Sequence, residues 1–388
     1  MVQDNKKTFS QNLKCKELNN VNTFFLNSIL SEETSNPTIR WLCTYTPEEL
    51  IIAGGFAPLR IIGRENINKA ESYFPINYCP YIKAVWEYIL ADNKRTDPII
   101  FTNSCDGMRR LFDICSRYSP KTPSYMLDVP RINNENSLNY FTHNLQNLIK
   151  FIEKIKGGKI TSSSIKKAID LINDKRRLLK EFNSIYRRMP DLINISTYYR
   201  IMRLSMISNP NIFIEDLSKY INFTKEIYNG EESKAFLQDS NIPNIMIIGN
   251  FISEDKLWNI FSSLDCKLAS DDLCNSSRYF EKQVEINSNS NLYLLKSIAY
   301  RYMNKPQCMR MSNLGSKLEE IENKISNNRI DGVIFITLKF CDNMLYFFPL
   351  LKQKLNKLNI PTLYLEIEYN NFSEGQIKTR LQAFLEML

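Results

Sequence analysis

Nine cysteines are the side chains of this sequence whose number and spacing could do chemistry. Two of them recur in one context. The strand-like run Ile99–Thr102 leads into Cys105-Asp106-Gly107-Met108, and the run Gly332–Leu338 leads into Cys341-Asp342-Asn343-Met344. Both read Cys-Asp-x-Met after a strand, and open α/β sheets bind ligands beyond the carboxyl ends of their strands. The repeat therefore predicts that Cys105 and Cys341 belong to a ligand site.

Three further cysteines lie in places suited to ligation. Cys79 stands just before Pro80, where the pattern predicts the start of a helix. Cys274 lies just past a strand predicted at 264–269, and Cys308 lies in a polar loop. Helix N-termini offer free N–H groups and positive potential, so we expect the thiol pKa values there to be lowered.

A sulfur-only donor set favours an iron–sulfur cluster. The single histidine, His143, lies in a polar stretch and is predicted to be a surface residue, which leaves little for a Cys/His zinc site or a Ser–His–Asp triad. Because no two cysteines form a C-x-x-C pair, neither a ferredoxin nor a zinc ribbon is indicated. The ligands must converge through the fold. Single cysteines are also common as small buried apolar groups, and we interpret Cys15, Cys115 and Cys266 in that way.

Nucleotide-binding loops are absent from the sequence. It contains neither GxxxxGK followed by Ser or Thr nor a strand-linked GxGxxG, and Gly157-Gly158-Lys159 is predicted to be a turn. If the chemistry needs ATP or a nicotinamide, another protein must handle that cofactor.

Length and charge set broader limits. The 388 residues suggest two domains with room for a helical insert, and the net charge of +8 comes from 50 basic and 42 acidic residues. That excess fits ordinary surface charge, a phosphorylated ligand or an acidic partner, and no nucleic-acid motif accompanies it. The first residues carry no apolar segment and the apolar runs are strand-sized, so we expect a cytoplasmic protein without membrane association.

Strands and helices alternate at both ends of the chain. The pattern predicts the strands Ile99–Thr102, Ser124–Val129, Asn244–Ile248, 264–269, Gly332–Leu338 and Thr362–Ile367, and helices at Pro80–Ala91, Met108–Ile114 and Gln376–Leu388. The segment Ile165–Arg188 reads as an amphipathic helix with a basic, solvated outer face. We therefore predict a helical lead-in (1–40), a first α/β lobe (41–134), a helical insert (135–238) and a second α/β lobe (239–388).

The acidic residues Glu48 and Glu49 allow two interpretations. Thr46-Pro47-Glu48-Glu49 predicts a helix start, with Thr46 as N-cap and Glu49 completing a capping box, and the helix should run to about Ala53. Alternatively, Glu48 and Glu49 act as acid/base groups beside the cysteine site.

Several runs together resemble one enzyme family, that of the 2-hydroxyacyl-CoA dehydratases and benzoyl-CoA reductases. The resemblance covers about residues 41–388 and is specific in the order and spacing of its motifs. The similar runs are Cys43-Thr44-Tyr45-Thr46-Pro47-Glu48-Glu49-Leu50, Asn77-Tyr78-Cys79-Pro80-Tyr81, Ser104-Cys105-Asp106-Gly107-Met108-Arg109-Arg110, Asp271-Asp272-Leu273-Cys274-Asn275-Ser276-Ser277-Arg278-Tyr279-Phe280, Asp331-Gly332-Val333-Ile334-Phe335, Lys339-Phe340-Cys341-Asp342 and Thr379-Arg380-Leu381-Gln382-Ala383-Phe384-Leu385-Glu386.

The resemblance implies a fold, a cofactor and a reaction. It implies two Rossmann-like parallel-sheet lobes that hold a [4Fe-4S] cluster on Cys79, Cys105 and Cys341, with the fourth iron open to water or to a thioester carbonyl. It also implies an ATP-hydrolysing iron–sulfur activator protein and either a paralogous second subunit or a second copy of this chain. One low-potential electron would make a ketyl radical on an acyl-CoA that then expels its hydroxyl group. In the reductases the electron enters an aromatic ring.

One branch of the family implies a larger cluster. Its members carry a double-cubane [8Fe-9S] cluster held by more cysteines and reduce small molecules. Cys43, Cys274 and Cys308 lie in family-like loops and would bring the candidate ligands to six. A third expectation is a non-catalytic relative, an electron-relay or scaffold subunit of such a complex.

Overall fold

This computed structural model describes residues 37–64, 66–91, 96–190, 192–228, 242–253, 255–368 and 372–388. Most of the predicted lead-in, with Cys15, lies outside these residues. Among the described residues, no helix combines the length and apolar character needed to cross a membrane.

The first lobe is a four-stranded parallel sheet in the order β2-β1-β3-β4. Its elements are β1 (Thr38–Trp41), α1 (Glu48–Ala53), β2 (Ala57–Arg60), α2 (Pro80–Ala91), β3 (Ile99–Thr102), α3 (Asp106–Tyr118) and β4 (Ser124–Leu127), with a short 3₁₀ turn at Ala70–Tyr73. The α2 and β3 predictions are confirmed. Strand β1 was not predicted, and it contradicts the end of the predicted helical lead-in (1–40). Thr38 and Arg40 interrupt its apolar residues Ile39 and Trp41, which are buried at the centre of the sheet.

The predicted insert is helical. It contains α4 (Glu135–Lys156), α5 (Ser162–Arg188), α6 (Ile195–Ile207) and α7 (Pro210–Tyr228). Asn134, Thr161 and Asn194 cap the first three, each side chain accepting the N–H of the residue three positions on. Helix α4 ends at Gly157, whose φ of 72° is left-handed, so the predicted turn is confirmed.

The second lobe repeats the first, with the strand order β6-β5-β7-β8, all parallel. Its elements are β5 (Asn244–Gly249), α8 (Asp255–Ser262), β6 (Lys267–Asp272), α9 (Ser277–Phe280), α10 (Asn291–Asn304), α11 (Leu314–Asn328), β7 (Gly332–Leu338), α12 (Asp342–Lys357), β8 (Thr362–Ile367) and α13 (Glu374–Leu385). The expected α/β fold with two Rossmann-like lobes is confirmed.

The strand predicted at 264–269 was wrong by three residues. Strand β6 spans Lys267–Asp272, and Cys266 precedes it rather than lying within it. The reason is that β6 buries the polar residues Ser270, Asp271 and Asp272, which a hydrophobic pattern does not mark as a strand.

In both sheets the order of the strands changes direction between the two central strands. The chain enters at a central strand (β1 or β5), moves to one edge, and crosses back to the other central strand (β3 or β7). Connections therefore leave the two central strands in opposite directions, which opens a crevice at their carboxyl ends. One buried apolar core joins both lobes and the insert, so the two crevices belong to one body.

Candidate metal centre

Cys105 and Cys341 occupy equivalent places in the two lobes. Each is the N-cap residue of the helix after a central strand, α3 after β3 and α12 after β7. The Cys105 Sγ accepts the N–H of Met108 at 3.4 Å. The Cys341 thiol accepts hydrogen bonds from the Asn250 side chain and from the N–H of Met344. The predicted placement at strand carboxyl ends is therefore what the structure shows.

Cys79 faces these two cysteines from a third helix start. It directly precedes α2, and its thiol accepts the N–H groups of Tyr81 and Ile82. Its charge interacts with those of Cys341 and Cys105. Gly107 allows α2 and α3 to approach closely, since a Cβ there would lie 3.0 Å from Ile82 Cγ1. We call Cys79, Cys105 and Cys341 the helix-end trio.

The expectation that helix N-termini lower these thiol pKa values was wrong for the metal-free protein. Burial raises the pKa of Cys105 to about 12 despite the Met108 N–H. Burial, followed by the negative charge of Cys341, likewise raises the pKa of Cys79, and burial raises that of Cys341. Desolvation by burial is the largest contribution to each of these three pKa values and outweighs the hydrogen bonds from N–H groups.

The other three candidate ligands form a second group. Cys43 follows β1, Cys274 follows β6, and Cys308 lies between α10 and α11. The Cys274 thiol donates to the Cys308 sulfur, which raises the pKa of Cys274 and lowers that of Cys308. Lys305 interacts electrostatically with all three sulfurs. We call Cys43, Cys274 and Cys308 the loop trio.

The two trios adjoin each other. The negative charges of Cys43 and Cys308 contribute to raising the pKa of Cys105, and that of Cys308 contributes to raising the pKa of Cys341. Within the described ranges, no three candidate ligands are close enough to hold a single metal ion. A cluster makes a different demand, because each cysteine binds a different iron atom and the sulfurs stand correspondingly further apart.

The remaining described cysteines and the histidine lie elsewhere. Cys115 is fully buried in the core, with its sulfur 3.5 Å from Ser124 Oγ. Cys266 lies beside Asp265, whose charge adds to the effect of burial in raising the thiol pKa to about 12. His143 is exposed, as predicted.

Buried cations surround the loop trio. The Arg278 Nη1 lies 3.4 Å from Cys274 Sγ, and the Arg60 Nη1 lies 3.5 Å from the Cys274 carbonyl oxygen. Lys305 and Arg310 lie over the Tyr45 ring, at 4.4 and 5.3 Å from its centroid. The Tyr45 hydroxyl in turn accepts the N–H of Cys308 at 3.4 Å. Burial, reinforced by Arg301, lowers the pKa of Lys305 to about 7.

Unpaired polar atoms line the same space. Arg60 Nε, Arg310 Nε, Asn250 Oδ1 and Gln307 Oε1 are buried and have no hydrogen-bond partner in the part of the chain that the structure describes. Buried polar atoms are nearly always paired, so a group of orphans marks a place for an absent binding partner. The thiols, the cations and the two unpaired donors, Arg60 Nε and Arg310 Nε, can together hold an anionic, sulfur-ligated group, whereas the two amide oxygens are acceptors.

A buried carboxylate, that of Asp272, forms ion pairs with Arg278 and Lys317. Asp272 Oδ1 lies 2.8 Å from Lys317 Nζ and 3.3 Å from Arg278 Nε. Burial alone would raise the pKa of Asp272, but Arg278, Lys317 and Lys324 together hold it well below its usual range. The Arg278 guanidinium also donates to the carbonyl oxygens of Gly249 and Asp272, which fixes it at the ends of β5 and β6.

A family model described as 2-hydroxyglutaryl-CoA dehydratase, D-component, matches residues 43–388. The chain belongs to this family. The predicted membership is confirmed, and the matched region begins at Cys43 and includes both cysteine trios.

Relatives of this D-component family member are similar along nearly their whole length. The (R)-phenyllactyl-CoA dehydratase beta subunit of Clostridium sporogenes and the lactoyl-CoA dehydratase subunit beta of Anaerotignum propionicum are each 24% identical over 92% of this chain and 93% of their own. A benzoyl-CoA reductase subunit of Thauera aromatica is 24% identical over 90% of each chain.

The capping box predicted at the start of α1 was wrong. Pro47 is the N-cap residue with no side-chain cap bond, and Thr46 Oγ1 has no partner among the described residues. Glu48 and Glu49 instead point into the interior, where they are 2% and 0% exposed. Tertiary ion pairs therefore replace the local cap.

Both carboxylates are paired with residues of α5. Glu48 Oε1 lies 3.0 Å from Lys175 Nζ, and Glu49 Oε1 lies 2.7 Å from Arg176 Nη2. Tyr279 donates to Glu48 and Tyr302 donates to Glu49, at 2.7 and 2.9 Å. Burial would raise the pKa of Glu49, but Arg176 and Arg301 outweigh it and the pKa is lowered.

Helix α5 differs from its prediction at these two cations. Its basic residues were predicted to face solvent, yet Lys175 and Arg176 are 1% and 3% exposed. The apolar repeat places residues on faces correctly, but it assumes that every charge seeks water. The sequence carries no local signal for these pairs or for Arg278, Lys305 and Arg310.

Proposed function

We propose that this chain is the iron–sulfur subunit of a 2-hydroxyacyl-CoA dehydratase-type enzyme that eliminates water from an acyl-CoA. The observation that carries the proposal is the convergence of the helix-end trio and the loop trio at the crevices of two equivalent sheets. The relatives support the reaction, since two of them are named as dehydratase beta subunits.

The helix-end trio is the proposed holder of a [4Fe-4S] cluster. Cys79, Cys105 and Cys341 supply three thiolates, and the N–H groups aimed at them stabilise sulfur charge once iron is bound. The group, when bound, supplies one low-potential electron to the substrate thioester. Because the pKa values of Cys79, Cys105 and Cys341 are raised in the metal-free protein, these thiols are protonated there, and binding iron should release protons.

The surrounding residues have positioning roles in this proposal. Arg60, Arg278, Lys305 and Arg310 place positive charge against an anionic centre, and Asp272 fixes Arg278 and Lys317. Burial of the cysteines limits the access of water and oxygen, since all six are at most partly exposed.

Partners follow from the same proposal. A name ending in beta subunit describes one part of a complex, so we propose a second subunit, either paralogous or a second copy of this chain. We propose that the electron comes from an ATP-hydrolysing activator protein, as the family resemblance implies; the sequence itself has no GxxxxGK loop followed by Ser or Thr.

A double-cubane reductase is the second candidate function. The observation favouring it is that Cys43, Cys274 and Cys308 form a trio of their own beside the helix-end trio, with Lys305 interacting with each sulfur. Six thiolates in two sets of three suit an [8Fe-9S] cluster, and the benzoyl-CoA reductase of Thauera aromatica contributes one of the relatives.

Glu48 and Glu49 stay predicted acid/base groups, but their contacts favour a positioning role. Both are held by buried cations and tyrosine hydroxyls. A Glu49→Gln variant that keeps its iron and loses turnover at every pH would support positioning. A changed pH optimum at full iron loading would support acid/base catalysis.

The proposed function is tested with the chain purified anaerobically together with its second subunit and activator. Lactoyl-CoA, phenyllactyl-CoA, 2-hydroxyglutaryl-CoA and benzoyl-CoA are offered with ATP. We expect ATP-dependent loss of water from at least one 2-hydroxyacyl thioester and roughly four irons in this chain. About eight irons with reduction but no water loss indicates the double-cubane reductase. Full iron loading without turnover of any thioester indicates an electron-relay or scaffold subunit and contradicts the proposal.

A further inference from the structure

A basic cavity adjoins the buried ion pair of Arg176 and Glu49. It has a volume of about 1240 Å³ and lies between α5, α10 and the loop 281–287. Its charged lining consists of six cations and one carboxylate, namely Arg176, Arg177, Lys180, Lys282, Lys296, Arg301 and Glu285. Ligand pockets are commonly about 300–1,000 Å³, so this one has room for a large, polyanionic molecule.

Two buried arginines of the cavity lining, Arg176 and Arg301, share a single carboxylate, that of Glu49. Arg301 is 2% exposed and donates to the carbonyl oxygens of Tyr279, Glu281 and Lys282, but it forms no ion pair within the described ranges. Arg176 shares Glu49 with it. Burial, followed by the charge of the neighbouring Arg176, lowers the pKa of Arg301 to about 10.

The rim adds aromatic surface to the cations. Tyr293 and Tyr300 are seven residues apart on α10, so they lie on one face of the helix, with Lys296 between them. Their side chains are 58% and 57% exposed although both line the cavity. Exposed aromatic rings beside cations are the combination that receives a base and its phosphates.

The loop that closes the cavity is already formed. Asn173 of α5 holds both backbone groups of Val284, accepting its N–H at 2.9 Å and donating to its carbonyl at 2.8 Å. Lys282 has a left-handed φ of 61°, which lysine rarely adopts, and Arg301 fixes its carbonyl oxygen. A preformed wall reduces the entropy lost on binding.

We propose that this cavity binds a phosphorylated nucleotide, with its phosphates against the cations of α5 and α10 and its base against Tyr293 and Tyr300. Two sources share this chemistry, the nucleotide end of coenzyme A and a free nucleoside diphosphate or triphosphate. The coenzyme A source rests on the proposed function. Helix α10 links the two regions, since Tyr300 lines the cavity and Lys305, which directly follows the helix, donates to the carbonyl oxygen of Thr44, next to Cys43.

The test is isothermal titration of the full chain, under anaerobic conditions, with coenzyme A, ATP, ADP, pantetheine and inorganic phosphate. Lys180→Glu/Lys296→Glu reverses two cavity cations. Lys166→Glu/Lys167→Glu makes the same charge change on exposed residues of α5 that do not line the cavity. Tyr300→Ala is compared with Tyr346→Ala, a tyrosine that is 80% exposed on α12.

We expect coenzyme A or the free nucleotides to bind and pantetheine and phosphate to bind far more weakly. The cavity reversal should weaken binding by about tenfold or more, the α5 control by less than about twofold, and Tyr300→Ala should weaken it where Tyr346→Ala does not. Coenzyme A binding well above ADP and ATP identifies the first source, and the reverse order identifies the second.

Three results overturn the inference: no binding of any nucleotide, equal losses in the cavity and control variants, or intact nucleotide binding in a cavity variant that no longer associates with the second subunit. The last would make the surface a protein interface. Iron is measured on the same samples, so loss of the proposed cluster and loss of nucleotide binding are told apart.

Discussion

The helix-end trio and the loop trio lie side by side but are stabilised in different ways. Thiols of the first accept main-chain N–H groups at the starts of α2, α3 and α12. Thiols of the second lie among side-chain cations, above all Arg278 and Lys305. Main-chain donors are fixed by the fold itself, whereas the cations depend on other buried charges. The helix-end trio should therefore be less sensitive to substitution of neighbouring side chains than the loop trio.

The largest effect should come from removing one cysteine of the helix-end trio. Cys341→Ser is expected to lose nearly all bound iron, because the proposed [4Fe-4S] cluster has only three protein ligands and this variant removes one of them. Cys274→Ser should keep its iron if the cluster is a single cubane and lose a large part of it if the loop trio also ligates.

Iron and acid-labile sulfide after anaerobic reconstitution decide between these outcomes. Cys115→Ser is the matched control, since this buried thiol lies apart from both trios. Loss of iron in Cys115→Ser comparable to that in Cys341→Ser would contradict the assignment of the helix-end trio.

The next effect tests the dependence of the loop trio on buried charge. Asp272→Asn leaves Arg278 and Lys317 without their carboxylate, and we expect the free energy of unfolding to fall by about 3 kcal/mol. Asp265→Asn, on an exposed residue nearby, should change it by less than about 0.5 kcal/mol. Urea unfolding of the metal-free chains measures both. Equal effects of the two variants would show that the cations do not need Asp272.

A smaller effect should appear in the acid limb of stability. The pKa of Glu49 is lower in the folded chain than in the unfolded one, owing to Arg176 and Arg301. Its ion pair therefore stabilises the protein above the unfolded carboxyl pKa of about 4.3, and this contribution is lost as the pH falls through the folded value.

Glu49→Gln should accordingly be less stable at neutral pH and should lose less stability between about pH 5 and pH 3 than the parent chain does. Urea midpoints across that range measure the difference. Parallel pH curves for the two proteins would exclude a lowered pKa.

The smallest effect concerns a single hydrogen bond in the helix-end trio. Asn250→Ala removes the side chain that donates to Cys341, and we expect iron binding to weaken by about tenfold, the lower end of the usual effect of losing one outer-shell contact. Competition with a chelator measures it. An effect as large as that of Cys341→Ser would mean that side chains, rather than helix ends, hold this trio.

Much of the fold was predictable from periodicity. Strands β3, β7 and β8 and helix α2 were predicted with their observed bounds because each apolar run begins at or just after a Pro or Gly. Strand β1 buries Arg40 between Ile39 and Trp41, and β6 ends in buried Asp271 and Asp272, so neither forms the apolar run that marks β3, β7 and β8.

The cysteines of the site could be predicted from the sequence, whereas its buried charged residues could not. Cys105 and Cys341 were identified by a repeated local motif, which the equivalent sheets explain. Arg278, Lys305 and Lys175 look like surface residues in sequence, and only tertiary packing places each against a sulfur or a carboxylate. Each contacts a partner that is distant in sequence: Gly249 lies 29 residues from Arg278, Glu48 lies 127 residues from Lys175, and Thr44 lies 261 residues from Lys305.

The central claim is that the converging cysteines hold an iron–sulfur group, and the most direct measurement is the iron and sulfide content of the full chain purified and reconstituted without oxygen, read together with its EPR spectrum. The account predicts at least about four irons per chain with a matching amount of sulfide and a cluster signal on reduction. A chain that takes up no iron under these conditions would contradict it.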